Sequence, residues 1–283
     1  MSTQRIPIPP RDDIAASVRQ ALAEDVGAGD LTAALLPVGA LAQAQVITRE
    51  DAVLSGSAWF EETFRQLDSK VVVDWKAHDA ERVQAGKILC TLGGSVRSLL
   101  TGERTALNFL QLLSSTATAT RRFVDAIAGT RAVILDTRKT VPGLRRAQKY
   151  AVACGGGQNH RMGLFDGILI KENHIAAAGS VTAAMQAALA LAPPGIMVEI
   201  EVEDLPQLDE ALAAGATRIL LDNFPLDQLR EAVRRAAKRA TLEASGNISL
   251  ESVRDIAATG VHYISIGGLT KHVRAVDLSL RFV

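Results

Sequence analysis

Residues 136–174 read DTRKTVPGLRRAQKYAVACGGGQNHRMGLFDGILIKENH. One apolar run, Ala132, Val133, Ile134 and Leu135, precedes this stretch; another, Ile168, Leu169 and Ile170, lies near its end. Short continuous apolar runs of this kind are the pattern of buried strands. Each stops at cations, Arg138 and Lys139 after the first and Lys171 after the second. Between them come a turn at Pro142-Gly143, a basic segment of helical pattern and the glycines 155–157, followed by Asn159, His160 and Arg161. Seven Lys/Arg (138, 139, 145, 146, 149, 161, 171) stand here against three acids (136, 166, 172), whereas the whole chain carries 31 of each sign. A local positive focus in a neutral chain suits a small polyanion, because a concave basic site concentrates anions by its field. A nucleic-acid-binding protein would carry a basic domain.

Outward from this stretch, residues 132–273 alternate strand and helix. The strands are 132–136, 167–171, 197–202, 218–222, 241–244 and 263–267. Ser180 caps a helix carrying Val181, Met185 and Leu189, which ends at Pro193-Pro194. Leu205, Leu208 and Leu212 line the next, and Leu226, Leu229, Val233 and Ala237 the third. For the fourth, Ser249 reads as the cap, with Ile248 and Val253 at the two positions of a hydrophobic staple. Strands that are apolar throughout imply a parallel sheet covered by helices. A closed (β/α) barrel needs eight units, and six are found, so the expectation is an incomplete parallel barrel in an α/β protein.

The N-terminal part has a mixed pattern. Ile14, Val18 and Leu22 mark a helix over 12–24, and strands are expected at 43–49, 71–75 and 88–92. Ser57 reads as the cap of a helix presenting Phe60, Phe64 and Leu67, and a long helix opens at Thr101. Residues 276–282 alternate with period two, a strand expected to pair with this region. The predicted organisation is an α+β sandwich domain over 1–115, completed by 274–283, and a catalytic barrel over 116–273.

Composition narrows the function. Aromatics are only 4% of the 283 residues, too few for base-stacking surfaces, so no nucleic acid partner is expected. No segment approaches the ~18 apolar residues of a membrane span, and the N-terminus lacks a signal-peptide pattern. Two cysteines, Cys90 and Cys154, make no disulfide framework, which points to the cytoplasm. Cys154 reads as a small packing residue. No histidine pair has zinc-ligand spacing.

The candidate site follows from position. Polar groups stand at or just past the C-terminal end of every barrel strand: Arg138 and Lys139, Lys171, Glu201, Asp222, Ser245-Gly246-Asn247, and Gly267-Gly268 with Lys271. That end carries the active site in parallel βα folds. Arg138, Lys139, Arg161 and Lys171, with His160, suit carboxylates and phosphates, and arginine forks favour a dicarboxylate. Glu201 and Asp222 are acids in a basic setting, suited to sugar hydroxyls or Mg²⁺; as counter-ions for the lysines they would look the same. The two late glycine loops allow backbone N–H groups to close on a phosphate.

The motifs D-T-R-K-T-x-P-G-L-R, G-G-G-x-N-H-R-x-G-L and L-I-K-E-N-H-I resemble those of the quinolinate phosphoribosyltransferases, as do E-D-x-G-x-G-D-x-T from Glu24 and G-E-R-T-A-L-N-F from Gly102. The resemblance implies transfer of phosphoribosyl from phosphoribosyl pyrophosphate to quinolinate with decarboxylation, in a homodimer or higher oligomer. It implies that Arg138, His160, Arg161 and the partner subunit's Arg104 hold the pyridine dicarboxylate. Lys139, Lys171, Glu201 and Asp222 then serve phosphoribosyl pyrophosphate and its Mg²⁺, and the 245–247 and 267–268 loops with Lys271 serve the 5′-phosphate. Residues 114–118 depart from the glycine-containing form. Two alternatives compete: a related pyrophosphorylase-like protein associated with molybdenum transport and using another acceptor, and a non-catalytic anion-binding protein. The intact T-R-K-T and N-H-R argue against the first, and the full set of strand-end charges against the second.

Overall fold

The computed structural model describes residues 6–283. They form two compact units. The first holds the residues up to Arg121 together with Thr140–Gly156 and Leu269–Val283; the second holds Arg122–Lys139 and Gly157–Gly268.

In the first unit, strands β1 (Leu41–Thr48), β2 (Ala52–Val53), β3 (Val72–Trp75), β4 (Arg82–Val83) and β5 (Ile88–Ser95) accompany helices Arg11–Val26 and Ser57–Leu67. The second unit contributes β6 (Val133–Leu135), β7 (Gly167–Ile170), β8 (Met197–Val202), β9 (Arg218–Asp222), β10 (Thr241–Ser245) and β11 (Tyr263–Ser265), and the chain ends in β12 (Leu278–Phe282). The antiparallel sheet of the first unit runs β12-β1-β5-β3. The C-terminal strand therefore completes the N-terminal sheet, with Val46 opposite Leu280 and Thr48 opposite Leu278. Its inward residues join a core of Val46, Leu92, Phe60, Phe64, Leu107, Leu110 and Leu278.

Three local expectations change. Ser57 is the first helical residue and not the cap: Gly56 takes that place at φ 111. The Gly56 and Ser57 N–H groups donate to the Asp79 carboxylate at 3.1 and 3.3 Å, so a distant acid caps this helix. The long helix spans Val96–Ala126, five residues before Thr101. Thr140–Gly156, read from sequence as part of the barrel stretch, belongs to the first unit. Helix Arg145–Cys154 within it buries Ala147, Tyr150, Ala151 and Cys154 among Ile14, Val18, Trp59, Phe109 and Leu113. The run of Arg and Lys concealed that apolar stripe.

The second unit is a parallel sheet in the order β6-β11-β10-β9-β8-β7. It has six strands and is not closed: β6 and β7 are its edges. Helices Val181–Leu191, Leu205–Ala213 and Leu226–Ala236 lie against it. The Ser180 hydroxyl accepts from Ala183 N–H as the N-cap rule requires. Asp204 caps the next helix in the same way through Gln207 N–H. Ser249 does not cap: the fourth helix is Val253–Ala258, and Ser249 N–H donates to the Ser252 hydroxyl in the turn before it. Asn247, ahead of that turn, is left-handed at φ 48.

Side chains alternate across a strand. Ile200, Val202, Ile219, Leu221, Leu242 and Ala244 are buried on one face of the sheet. The other face carries Glu199 and Glu201, Arg218 and Asp222, and Glu243 and Ser245. No single helix among the described residues is long and apolar enough to cross a membrane.

Leu278→Ala should lower stability by about 2–4 kcal/mol, the cost of deleting a buried aliphatic side chain, with Ser279→Ala near neutral. Urea unfolding checks this, and equal small effects would remove the last strand from the core.

Candidate active site

The strand ends of the second unit meet in pairs. Arg138 and Lys139 follow β6, and Lys139 N–H donates to the Thr137 hydroxyl at 3.0 Å in a local turn. The Lys139 side chain crosses Gly267 so closely that a Cβ there would lie 2.9 Å from its Cδ. The ends of β6 and β11 thus share one surface. Lys171 caps the short helix Glu172–Ala178 by its backbone, while its ammonium bonds Glu201 Oε2 at 2.5 Å. Burial raises the Glu201 pKa; the Lys171 hydrogen bond and charge oppose this, while nearby Asp222 and Glu172 push it further up, leaving it above its ordinary value.

The ends of β9 and β10 interlock. Asn223, at φ 56, donates its Nδ2 to Asp222 Oδ2 at 2.7 Å and its backbone N–H to Ser245 O at 2.9 Å. Gly246 lies against it at φ +101, where a Cβ would stand 2.1 Å from Asn223 Oδ1. Only glycine satisfies both the backbone angle and the contact. Asn247 reaches Asn223 Oδ1 at 3.4 Å.

The turn at 158–161 is pinned from two sides. Its backbone joins β6 through Gln158 N–H to Ile134 O (2.8 Å) and Asp136 N–H to Gln158 O (3.2 Å). His160 N–H donates to the buried Asp136 carboxylate at 2.9 Å. From the other side, His160 Nε2 lies 2.7 Å from Glu199 Oε2. Arg218 then bonds both buried acids, Glu199 Oε1 at 3.0 Å and Glu243 Oε2 at 2.8 Å, with its guanidinium 4.5 Å from the centre of the Tyr263 ring. Arg161 donates to Gly167 O at 3.0 Å. Burial lowers the Arg161 pKa, and the neighbouring positive charge of Arg138 lowers it further. The charges of Glu199 and Asp166 oppose this without cancelling it.

The acids of the buried layer differ. Burial works against ionised Glu199, but the His160 hydrogen bond and the Arg218 charge outweigh it and hold its pKa below the ordinary value. Glu243 is pushed up to about 7 by burial and by the charge of Glu199. Its Oε1 is buried without a hydrogen-bond partner among the described residues, while the charge of His160 and the Ser265 hydroxyl work against the upward shift. His160, Glu199 and Glu243 offer three ligand atoms within 4.8 Å of one another. Arg218 already bridges the two carboxylates, so the cation of this group is a guanidinium.

Arg138, Lys139, His160, Arg161, Lys171, Glu201, Asp222, 245–247 and 267–268 thus all belong to the second unit. Arg104 and Lys271 are exposed residues of the first. Three cations of the opening stretch also belong there: Arg146 pairs with Asp13 at 2.7 Å, Arg145 bonds the Thr140 hydroxyl at 3.1 Å, and Lys149 is fully buried. His174 Nδ1 accepts Lys171 N–H in the helix cap. Cys154 is buried, which pushes its thiol up to about 11, so it is inert at neutral pH. The sequence reading missed Asp136, Glu199, Arg218, Glu243 and Asn223. An acid inside an apolar strand, as in M-V-E-I-E-V and T-L-E-A-S, was the available signal.

A six-stranded parallel sheet with cations, two acids and glycine loops along its strand ends defines an enzyme of the barrel class that handles small polyanions. Two family models, the N- and C-terminal domains of quinolinate phosphoribosyl transferase, match residues 30–114 and 116–281. The chain is 45% identical over 274 residues to the nicotinate-nucleotide pyrophosphorylase [carboxylating] of Mycobacterium leprae, covering 93% of this chain and 95% of that protein. It is 42% identical over 257 residues to a probable enzyme of the same name from Bacillus subtilis, covering 91% and 89%. The solved nicotinate-nucleotide pyrophosphorylase of Francisella tularensis superposes over all of both chains with a TM-score of 0.95 at 46% identity. The chain belongs to the quinolinate phosphoribosyltransferase family.

A glutamate with a raised pKa binds its proton more tightly folded than unfolded. Its stabilising contribution is present below the unfolded value and is lost as pH rises through about 7. Glu243→Gln should therefore gain stability relative to the parent between pH 5 and pH 8. Melting temperatures of both proteins across that range measure this, and a constant difference would refute the raised pKa.

Proposed function

We propose that the strand-end cluster of the second unit binds quinolinate beside phosphoribosyl pyrophosphate and holds them for reaction. The enzyme is a pentosyltransferase of NAD synthesis: the phosphoribosyl group passes to the pyridine nitrogen, pyrophosphate leaves, and the 2-carboxylate departs as CO₂, giving nicotinate mononucleotide. The observation that carries the site assignment is the row of polar groups at the strand ends of one parallel sheet, with Lys171 bonded to Glu201 and Asp222 ending the adjoining strand.

In this reading Arg138 and Arg161 grip the two carboxylates, with His160 beside them, and an exposed Arg104 from a second copy completes the grip in a homodimer or larger oligomer. Lys139 and Lys171 face the pyrophosphate. Glu201 and Asp222 take the ribose hydroxyls or a Mg²⁺ ion that arrives with the pyrophosphate. The acids fit such an ion, because Asp222 raises the energy of the Glu201 charge and a cation relieves that repulsion. When bound it neutralises phosphate oxygens. The Gly246 and Gly267 loops, with Ser245, Asn247, Gly268 and Lys271, suit the 5′-phosphate. No nucleophilic side chain is required: positioning and fixed charge perform this class of reaction. The cytoplasm is the compartment in which we place it.

Turnover of quinolinate with phosphoribosyl pyrophosphate and Mg²⁺ should release CO₂ and nicotinate mononucleotide, with nicotinate inactive as acceptor. Product from nicotinate alone would move the protein to another acceptor class. Arg138→Ala should raise KM for quinolinate by about 10–100-fold, the loss of a charged hydrogen-bond pair, with a much smaller change for phosphoribosyl pyrophosphate; equal changes would refute the division of roles. Excess chelator should abolish turnover, and undiminished rates would remove the metal.

A further inference from the structure

Both ring nitrogens of His160 are engaged within the protein. Nδ1 accepts the Arg161 N–H at 2.7 Å, and Nε2 meets Glu199 at 2.7 Å. The side chain is 7% exposed. A ring whose Nδ1 accepts a backbone N–H must carry its proton on Nε2, which is therefore the donor to Glu199. In this arrangement the ring offers the site no free N–H. What it offers is a fixed backbone at 159–161.

The groups behind it are unusual for their place. Barrel interiors are filled mainly by branched aliphatic side chains. Here Glu199, Arg218 and Glu243, from three adjacent strands, stand on the face that carries Glu201, Asp222 and Ser245 two or more residues further along. Both carboxylates are fully buried. Burying two acids against one guanidinium is costly and stabilises a fold weakly compared with aliphatic packing. Its clearer consequence is geometric: a planar fork bonded to two carboxylates leaves Glu199 Oε2 aimed at one point, His160 Nε2. On the far side, Asp136 fixes the same turn through His160 N–H.

We propose that Glu199, Arg218 and Glu243 are positioning residues that lock the His160 ring and, through it, hold the 159–161 backbone so that Arg161 is presented to the dicarboxylate. The proposal rests on the quinolinate reading above. It moves His160 from direct contact with substrate to a supporting role.

Two measurements test it. ¹⁵N-histidine spectra of the resting wild-type enzyme should show His160, assigned with a His160→Gln variant, as the Nε2–H tautomer; the Nδ1–H form would overturn the proposal. This readout does not depend on turnover, so it stands even if quinolinate proves not to be the substrate. Glu199→Leu removes the acceptor, whereas Glu199→Gln keeps an oxygen for Nε2–H. The Leu variant should raise KM for quinolinate tenfold or more with that for phosphoribosyl pyrophosphate within twofold, and the Gln variant should recover to within threefold of wild type. Should that Leu variant not fold, Glu243→Leu, which removes the second acceptor of Arg218 on a different strand from Glu201, serves the same split of KM values. Equal increases in both KM values, or none in either, would overturn the proposal.

Discussion

Arg218 bonded to Glu199 and Glu243 is the contact on which the chemistry of the second unit stands. Three ionisable groups share a space from which water is largely excluded, so none can change partner independently. Removing the guanidinium would leave two carboxylates without their cation, a loss of about 3–5 kcal/mol for a broken buried pair. Burial tends to lower the Arg218 pKa, yet the two acids raise it overall. The cluster therefore keeps one permanent positive charge in the sheet, and the position of His160 follows from it.

The two-residue period of β-strands turns that cluster into a foundation. Glu199 and Glu201 differ by one period, as do Glu243 and Ser245; Arg218 and Asp222 differ by two. One layer is buried and bonded mainly within itself; the next is the strand-end layer with Lys171, Asp222 and the glycine turns. Any rotation of β8 that moved Glu199 from Arg218 would also move Glu201 from Lys171. Rigid support of this kind suits an enzyme that works by orientation, since displacements of about 1 Å can cost a hundredfold in rate.

Much of this was legible in the sequence, for a physical reason. Strands buried in a parallel sheet must be apolar, so charges at their ends stand out: Arg138, Lys171, Glu201 and Asp222 were found by that contrast. The C-terminal strand was visible because one face of an antiparallel sheet stays wet and writes an alternating pattern. What escaped depends on long-range encounters. Helix 145–154 looked like part of a basic site because its cations are adjacent in sequence, but Lys149 is buried and Arg146 pairs with Asp13, 133 positions away. Ser57 yielded its capping role to Asp79, 22 positions away. Glu199 and Glu243 were read as parts of apolar strands because their partners, Arg218 and His160, lie on other elements.

The division of charge explains how a neutral chain can host two anionic substrates. A uniformly basic cleft would bind a dicarboxylate and a pyrophosphate anywhere along it. Here Glu201, bonded to Lys171 and repelled by Asp222, breaks the basic surface. In the proposed arrangement the arginines grip the dicarboxylate and the lysines face the pyrophosphate. Anions placed by such a pattern have a preferred order, because exchanging them would set carboxylate against carboxylate. Positive charge develops at the ribose carbon as pyrophosphate leaves, and in the proposed arrangement acids fixed beside the sugar would stabilise it without reorganising. On that proposal the same acids would limit ground-state binding of the anions and favour the transition state, which is the differential binding that catalysis requires.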